Sequence, residues 1–395
     1  KEYRRQRQMC IRDRNNTDSI YSYTIPVEYP KVGEDLTPAR IGVINLSNEE
    51  ITWVKIPGEQ NKFYLPRMTW MPGRNDLMIQ QLNRKQNHSK IYIANANDGS
   101  TELLMEEKDD AWVDLRSSWP YQVQAGWKFI NNGKEFLYTT EKDGWSHIYR
   151  FDITNKTEYL VTKGNYDVVK PLAYDEKNES VYFIASPENP TERYLYKTSA
   201  KGDGKLIRVT PDILEGSHNY QISTKAKYAF HSFSNYFTRP MQAIVSLPNH
   251  KFINENQNMI EKYDLEKKKD HPLEFFEITT VDDVTMEGWI VKPKNLDKNK
   301  KYPVLFYFYS EPAGQTGVNR YGAGNNGLYD GNLGEDGYVY VTFDGRGTPS
   351  PKGRAWRKAI YRNIGRINVR DMACLLYTSD AADDTPCVDL GGRRI

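Results

Sequence analysis

Phe136-Leu-Tyr-Thr-Thr-Glu-Lys-Asp-Gly-Trp-Ser-His-Ile-Tyr-Arg-Phe151 decides the fold. Two aromatic-rich runs, Phe136-Leu-Tyr-Thr and His147-Ile-Tyr-Arg-Phe, flank a polar turn. Such residues suit a pleated, half-buried surface, so the stretch reads as a hairpin. The layout recurs through residues 40–250. Equivalent second strands begin at Leu77, Val181 and Tyr228, giving spacings of 59, 45 and 47 residues along the series. Equivalent third strands are Lys90-Ile-Tyr-Ile, Tyr194-Leu-Tyr-Lys and Gln242-Ala-Ile-Val. The turns Asn97-Asp-Gly99, Asn131-Asn-Gly133 and Lys201-Gly-Asp-Gly204 carry residues that tolerate left-handed backbone. Four-stranded units of this length predict β-propeller blades; a large β-sandwich is the alternative with similar spacing. Ile41 to Leu46 and Ile51 to Val54 supply strands of a fifth unit. An open propeller would leave strand edges unpaired, which points to sequence missing upstream.

The composition is compatible with this reading. The chain has 395 residues, 38% hydrophobic and 13% aromatic, including 28 Tyr and 8 Trp. No apolar run approaches the ~20 residues of a membrane-spanning helix. Residues 1–14 carry six basic and two acidic side chains, and residues 374–395 carry two and four. The interior balances at 46 basic and 46 acidic residues, leaving no basic footprint for nucleic acid. Cys10, Cys374 and Cys387 lie in those two ends, so the interior has neither a disulfide framework nor a thiolate metal site. Gln8 to Arg14 and Cys374 to Asp384 resemble translated sequencing-adaptor read-through, and residues 1–14 and 374–395 are set apart as non-native, disordered tails.

A second domain is expected after the charged segment 252–273. Leu273 to Thr280 and Met286 to Pro293 read as a hairpin. Tyr302 to Tyr309 and Tyr338 to Phe343 read as continuous apolar strands buried on both faces. A basic helical stretch, Lys352 to Asn363, follows, and Gly365 begins another helix. Hairpin, strand, long loop, strand, helix is how an α/β-hydrolase domain opens. The expected division is a partial β-propeller over 15–262 and a truncated α/β-hydrolase domain over 263–373.

Residues 15–373 resemble the dipeptidyl peptidase IV branch of the prolyl oligopeptidase family, in its Bacteroidetes-like form. The stretches that carry the resemblance are Tyr29-Pro-Lys-Val-Gly-Glu34, Asp143-Gly-Trp-Ser-His-Ile-Tyr149, Tyr302 to Tyr309, Phe343-Asp-Gly-Arg-Gly-Thr348 and Gly353 to Tyr361. The resemblance implies a serine-type dipeptidyl peptidase acting on peptides with penultimate Pro or Ala. It also implies an exported or periplasmic, homodimeric parent with no cofactor. A non-catalytic, propeller-based peptide-binding or scaffold protein is the alternative.

The chemistry such an enzyme requires is absent from this sequence. No Gly-x-Ser-x-Gly elbow occurs. Gly144-Trp-Ser-His-Ile148 is a decoy within the blade repeat. The triad histidine of α/β-hydrolases comes last in the chain, yet the last histidine here is His271, before the hydrolase strands. No His-Glu-x-x-His spacing suggests a metal. The Glu pair that holds a substrate amino terminus in the family lacks its aromatic context here; Glu49-Glu50 and Glu106-Glu107 read as solvated turns. The chain therefore reads as a fragment, catalytically incompetent as it stands. By resemblance Tyr309 is an oxyanion donor, in Tyr-Ser-Glu-Pro where the family has Tyr-Ala-Gly-Pro or Tyr-Gly-Gly-Pro. Asp344 and Arg346 are expected to brace the following turn.

Overall fold

A computed structural model describes residues 11–16, 18–28, 33–115, 119, 126–269, 271–297 and 299–381. Cys10, Cys387, the Tyr29 to Val32 stretch and most of the two tails lie outside the described residues. The chain divides into two units, Lys1–Val113 and Asp114–Ile395.

In the first unit, β1 (Ile11–Asn16) pairs with β2 (Tyr23–Glu28), and β3 (Gly42–Ile44) with β4 (Ile51–Trp53). A four-stranded antiparallel sheet follows: β5 (Phe63–Trp70), β6 (Asp76–Asn83), β7 (His88–Asn95) and β8 (Thr101–Lys108). Leu77, Ile79 and Ala94 form its core.

The second unit holds three more sheets of the same form. They are β9 (Trp127–Ile130), β10 (Glu135–Thr140), β11 (His147–Asp152) and β12 (Thr157–Leu160); then β13 (Val168–Asp175), β14 (Ser180–Ala185), β15 (Tyr194–Ser199) and β16 (Ile207–Arg208); then β17 (Ser217–Ile222), β18 (Tyr228–Asn235), β19 (Thr238–Ser246) and β20 (Lys251–Phe252). Each expected second and third strand is present, with Phe136 opposite Phe151 and Tyr138 opposite Tyr149.

The two-residue period of a strand explains the stacking of these sheets. In β14, Val181, Phe183 and Ala185 enter one core with Leu137 and Ile148 of the preceding sheet. Tyr182 and Ile184 point the other way, into a core with Tyr220, Ala229 and Val245 of the following sheet. A strand buried on both faces in this manner belongs to a blade held between two others. Each fully buried apolar side chain such as Val181 or Phe183 contributes roughly 1.5–3 kcal/mol of hydrophobic stabilisation. These sheets are consecutive blades of a β-propeller, here partial.

Short helical turns at Glu255–Gln257, Met259–Lys262 and Glu266–Lys269 lead out of the last blade. Next come β21 (Leu273–Thr279), β22 (Thr285–Val291), β23 (Val304–Phe306) and β24 (Val339–Phe343), in the order β21-β22-β24-β23 with β23 parallel to β24. Gly288 of β22 lies so close to β24 that an added Cβ would stand 2.2 Å from the Thr342 carbonyl oxygen. The parallel pair and the helices Gly353–Lys358 and Arg366–Ala381 give this region the start of an α/β-hydrolase sheet. Leu273, Trp289 and Tyr340 share a core with Phe233 and Tyr263, joining the sheet to the last blade.

Burial on both faces holds for β24, all five residues of which are buried, and not for β23. β23 is an edge strand, so Leu305 and Tyr307 remain 37% and 40% exposed. The helix from Arg366 runs to Ala381, into the stretch set apart by its sequence.

Candidate active site

Tyr309 lies three residues beyond the end of β23. The strand direction persists beyond Phe306, because the Tyr307 amide donates to the Val341 carbonyl (3.0 Å) and the Thr342 hydroxyl to the Tyr307 carbonyl (2.6 Å). The Tyr309 ring lies against Gly314, where an added Cβ would stand 2.8 Å from Cε1. A larger residue at 314 would displace the ring. Asn368 of the last helix donates to the Ser310 carbonyl (2.7 Å), fixing the next residue. The phenol is 38% exposed. A hydrogen bond to the Glu311 carboxylate, together with its charge, raises the Tyr309 pKa above the ordinary value. Tyr309 is thus a protonated donor at neutral pH.

Asp344 and Arg346 are occupied by their own neighbourhood. Asp344 is 2% exposed. It accepts from the Thr316 amide (2.7 Å), the Thr316 hydroxyl (3.0 Å) and the Gly317 amide (2.9 Å). Burial raises its pKa, against those hydrogen bonds. Arg346 donates from NH2 to Asp371 Oδ1 (2.5 Å) and from NH1 to Asp282 Oδ2 (2.7 Å). Its backbone amide also donates to Asp371 Oδ2 (2.8 Å). The hydroxyl of Thr280 and then the Arg346 guanidinium lower the Asp282 pKa to about 2.

A cavity of about 300 Å³ opens beside Pro312 and Ala313, three and four residues beyond Tyr309. Thr140, Glu141 and Asp167 line it from the blades, and Pro351 and Arg357 from the hydrolase segment. Arg357 donates from Nε to Glu141 Oε1 (2.6 Å), from NH2 to Asp167 Oδ1 (3.0 Å) and from NH1 to Asp167 Oδ2. Asp167 also accepts from the Ser146 amide and the Gly353 amide, each at 2.7 Å. Burial opposes the Arg357 charge, and the Asp167 hydrogen bonds with the Asp167 and Glu141 charges overcome it, so its pKa is raised.

Asn319 is a second hub, 5% exposed. Its amide donates to Thr191 O (2.8 Å), and its carbonyl accepts from the Ser217 hydroxyl (2.8 Å). Its side chain donates to Glu192 Oε1 (2.8 Å) and accepts from the Tyr236 amide (3.1 Å). Sequence reasoning missed Glu141, Asp167, Asn319 and Arg357. Of these, the sequence marks only the basic stretch that contains Arg357.

The decoy serine is a structural residue. Ser146 Oγ donates to the Val168 carbonyl (3.2 Å), while His147 pairs with Asp143 (2.7 Å). Glu106 bonds His88 (2.8 Å) on an exposed strand. His218, His231 and His250 come together within the last blade. His218 Nε2 donates to the Leu214 carbonyl (2.9 Å), leaving Nδ1 to accept from His231 Nε2 (2.8 Å). His250 Nε2 meets the Tyr220 hydroxyl (2.9 Å). His231 Nδ1 and His250 Nδ1 are buried without a hydrogen-bond partner. Among the described residues no His/Cys/Asp/Glu group is arranged to hold a metal, and no helix is long and apolar enough to cross a membrane.

The family model of the dipeptidyl peptidase IV (DPP IV) N-terminal region matches residues 5–240. Dipeptidyl peptidase 4 of Trichophyton rubrum is 27% identical over 89% of this chain and 45% of its own length. Dipeptidyl-aminopeptidase B of Aspergillus niger is 27% identical over 92% of this chain and 40% of its own length. The crystal structure of Porphyromonas gingivalis dipeptidyl peptidase 4 superposes with a TM-score of 0.80 at 27% identity, covering 97% of this chain and 52% of that one. The chain thus spans about half the length of the proteins it matches.

Proposed function

This chain belongs to the family of the dipeptidyl peptidase IV N-terminal region, and on that basis we propose that its full-length protein is a serine-type dipeptidyl peptidase. The proposed reaction releases Xaa-Pro or Xaa-Ala dipeptides from peptide amino termini. The observation that carries the reading is the order of parts: propeller blades matched by the family, then a parallel strand pair whose first strand, Val304–Phe306, leads to Tyr309 three residues on.

In this reading residues 15–262 are the peptide-admitting propeller and 263–373 the opening of the catalytic domain. Tyr309 donates its hydroxyl to the oxyanion formed when a serine attacks the scissile carbonyl, because a neutral phenol directed at developing charge stabilises it without ionising. Asp344 holds Thr316 and Gly317, and Arg346 ties the turn after β24 to Asp371, so both act as braces. Export to the periplasm and homodimer formation belong to the same proposal.

The chain has no Gly-x-Ser-x-Gly and no histidine after His271, so it cannot assemble a triad in the hydrolase order. The expected result with a fluorophosphonate probe is no stoichiometric labelling of this polypeptide. Labelling approaching one probe per chain would overturn the prediction.

A further inference from the structure

We propose that Arg357 is a positioning residue that sets where the Tyr309 phenol stands relative to the blades, an inference that rests on the reading of Tyr309 given above. Arg357, Glu141 and Asp167 are 5%, 5% and 3% exposed. They lie 216 and 190 residues apart along the chain, so the cluster joins two regions that no local structure connects. Lys358 adds its ammonium 3.0 Å from Glu141 Oε2. The Arg354 amide donates to the Gly144 carbonyl (2.8 Å), so the same helix is also held by backbone.

Burying such charges is costly, and substituting apolar residues for a whole buried ion cluster is often neutral or stabilising. Stability alone is therefore a weak account of the cluster, and geometry is the better one. The planar guanidinium engages two carboxylates at once, which fixes direction as well as distance.

From Arg357 a series of contacts leads to Tyr307, two residues before Tyr309. The Gly347 amide donates to the Trp356 carbonyl (3.0 Å), and Trp356 Nε1 to Thr348 Oγ1 (3.3 Å), so the helix grips the turn after β24. β24 in turn holds the extension of β23 through Thr342 and Val341, two residues before Tyr309. Gln315, in the loop after Tyr309, repeats the link by donating to the Pro190 carbonyl (3.1 Å) of the blades.

Hydrogen–deuterium exchange of this chain, read segment by segment, tests the inference with R357M and R357K beside the unsubstituted protein. R357M is expected to speed exchange over 304–310 and 339–350 by at least about tenfold, since loss of one partner from a buried pair opens the segments it held. Exchange in β10, β11, β14 and β15 is expected to stay unchanged. R357K keeps the charge without the fork and is expected to fall between the two. Uniform acceleration of every sheet would assign Arg357 to general stability and overturn the inference. Should R357M fail to fold, R357K decides: protection over 304–310 equal to that of the unsubstituted chain overturns it. The readout involves no catalysis, so it fails or succeeds independently of the role of Tyr309 in turnover.

Discussion

Tyr309→Phe in the full-length protein, with its nucleophile present, is expected to lower kcat by about 10²–10³-fold. That is the effect of removing one oxyanion donor, on the order of 2.7–4 kcal/mol. In the proposed role the hydroxyl engages an oxygen whose charge develops only in the transition state, so KM should change little. The substitution retains the ring against Gly314, so the loop should keep its path. Glu311 holds the phenol pKa above its ordinary value, so the donor stays protonated across the neutral range. Steady-state kinetics on a Gly-Pro chromogenic dipeptide decides the matter. A kcat within about twofold of the parent would remove Tyr309 from the oxyanion site.

Acidification is expected to destabilise the last blade through its three buried histidines. Burial lowers the pKa of His218 to about 3 and of His250 to about 4, and holds that of His231 well below its ordinary value. Around them, Leu214 accepts from His218 and favours its charged form, whereas the cation Arg208 opposes it. Tyr220 stacks on His231 at 4.3 Å and stays neutral.

In the unfolded chain each histidine takes up its proton near pH 6.5, while in the fold it does not. The unfolded state thus binds more protons below pH 6.5, and stability falls as the pH drops from there toward the folded values. Each histidine contributes up to about 1.4 kcal/mol per pH unit, so at pH 5 the three together reach at most roughly 6 kcal/mol. Burial lowers the His271 pKa as well, adding to the loss. Burial raises the pKa of Glu287 and Asp344, which therefore take up protons in the fold ahead of the unfolded chain and offset part of the loss at lower pH. Urea melts at pH 7 and pH 5 measure the effect, and His231→Phe should flatten the dependence by about one proton. A midpoint unchanged between the two pH values would contradict the buried neutral cluster.

Much of the fold was legible because aromatic and β-branched residues recur with the period of a strand. That signal placed β6, β10, β14 and β18 and their partners directly. The same alternation puts His218 opposite Phe233 and Tyr220 opposite His231 on one inward face. It could have predicted their burial, though not the hydrogen bonds among them, which depend on how two side chains meet. The run Tyr302 to Tyr309 misled for a different reason. Its residues are apolar throughout, so periodicity could not reveal that β23 stands at the sheet edge. Tyr309 was found only through resemblance, since a tyrosine at a strand end carries no local mark of chemistry. Glu141, Asp167 and Arg357 were invisible one by one, because each reads as an ordinary surface charge until the chain is folded.

Of the catalytic groups, residues 15–373 are proposed to supply only the oxyanion donor Tyr309, and the serine nucleophile of the full-length protein is proposed to lie outside them. Mapping a fluorophosphonate adduct on the full-length protein by peptide mass spectrometry tests this most directly. One modified serine is expected, within a Gly-x-Ser-x-Gly elbow outside residues 15–373. An adduct on any serine within residues 15–373, Ser146 included, would contradict it.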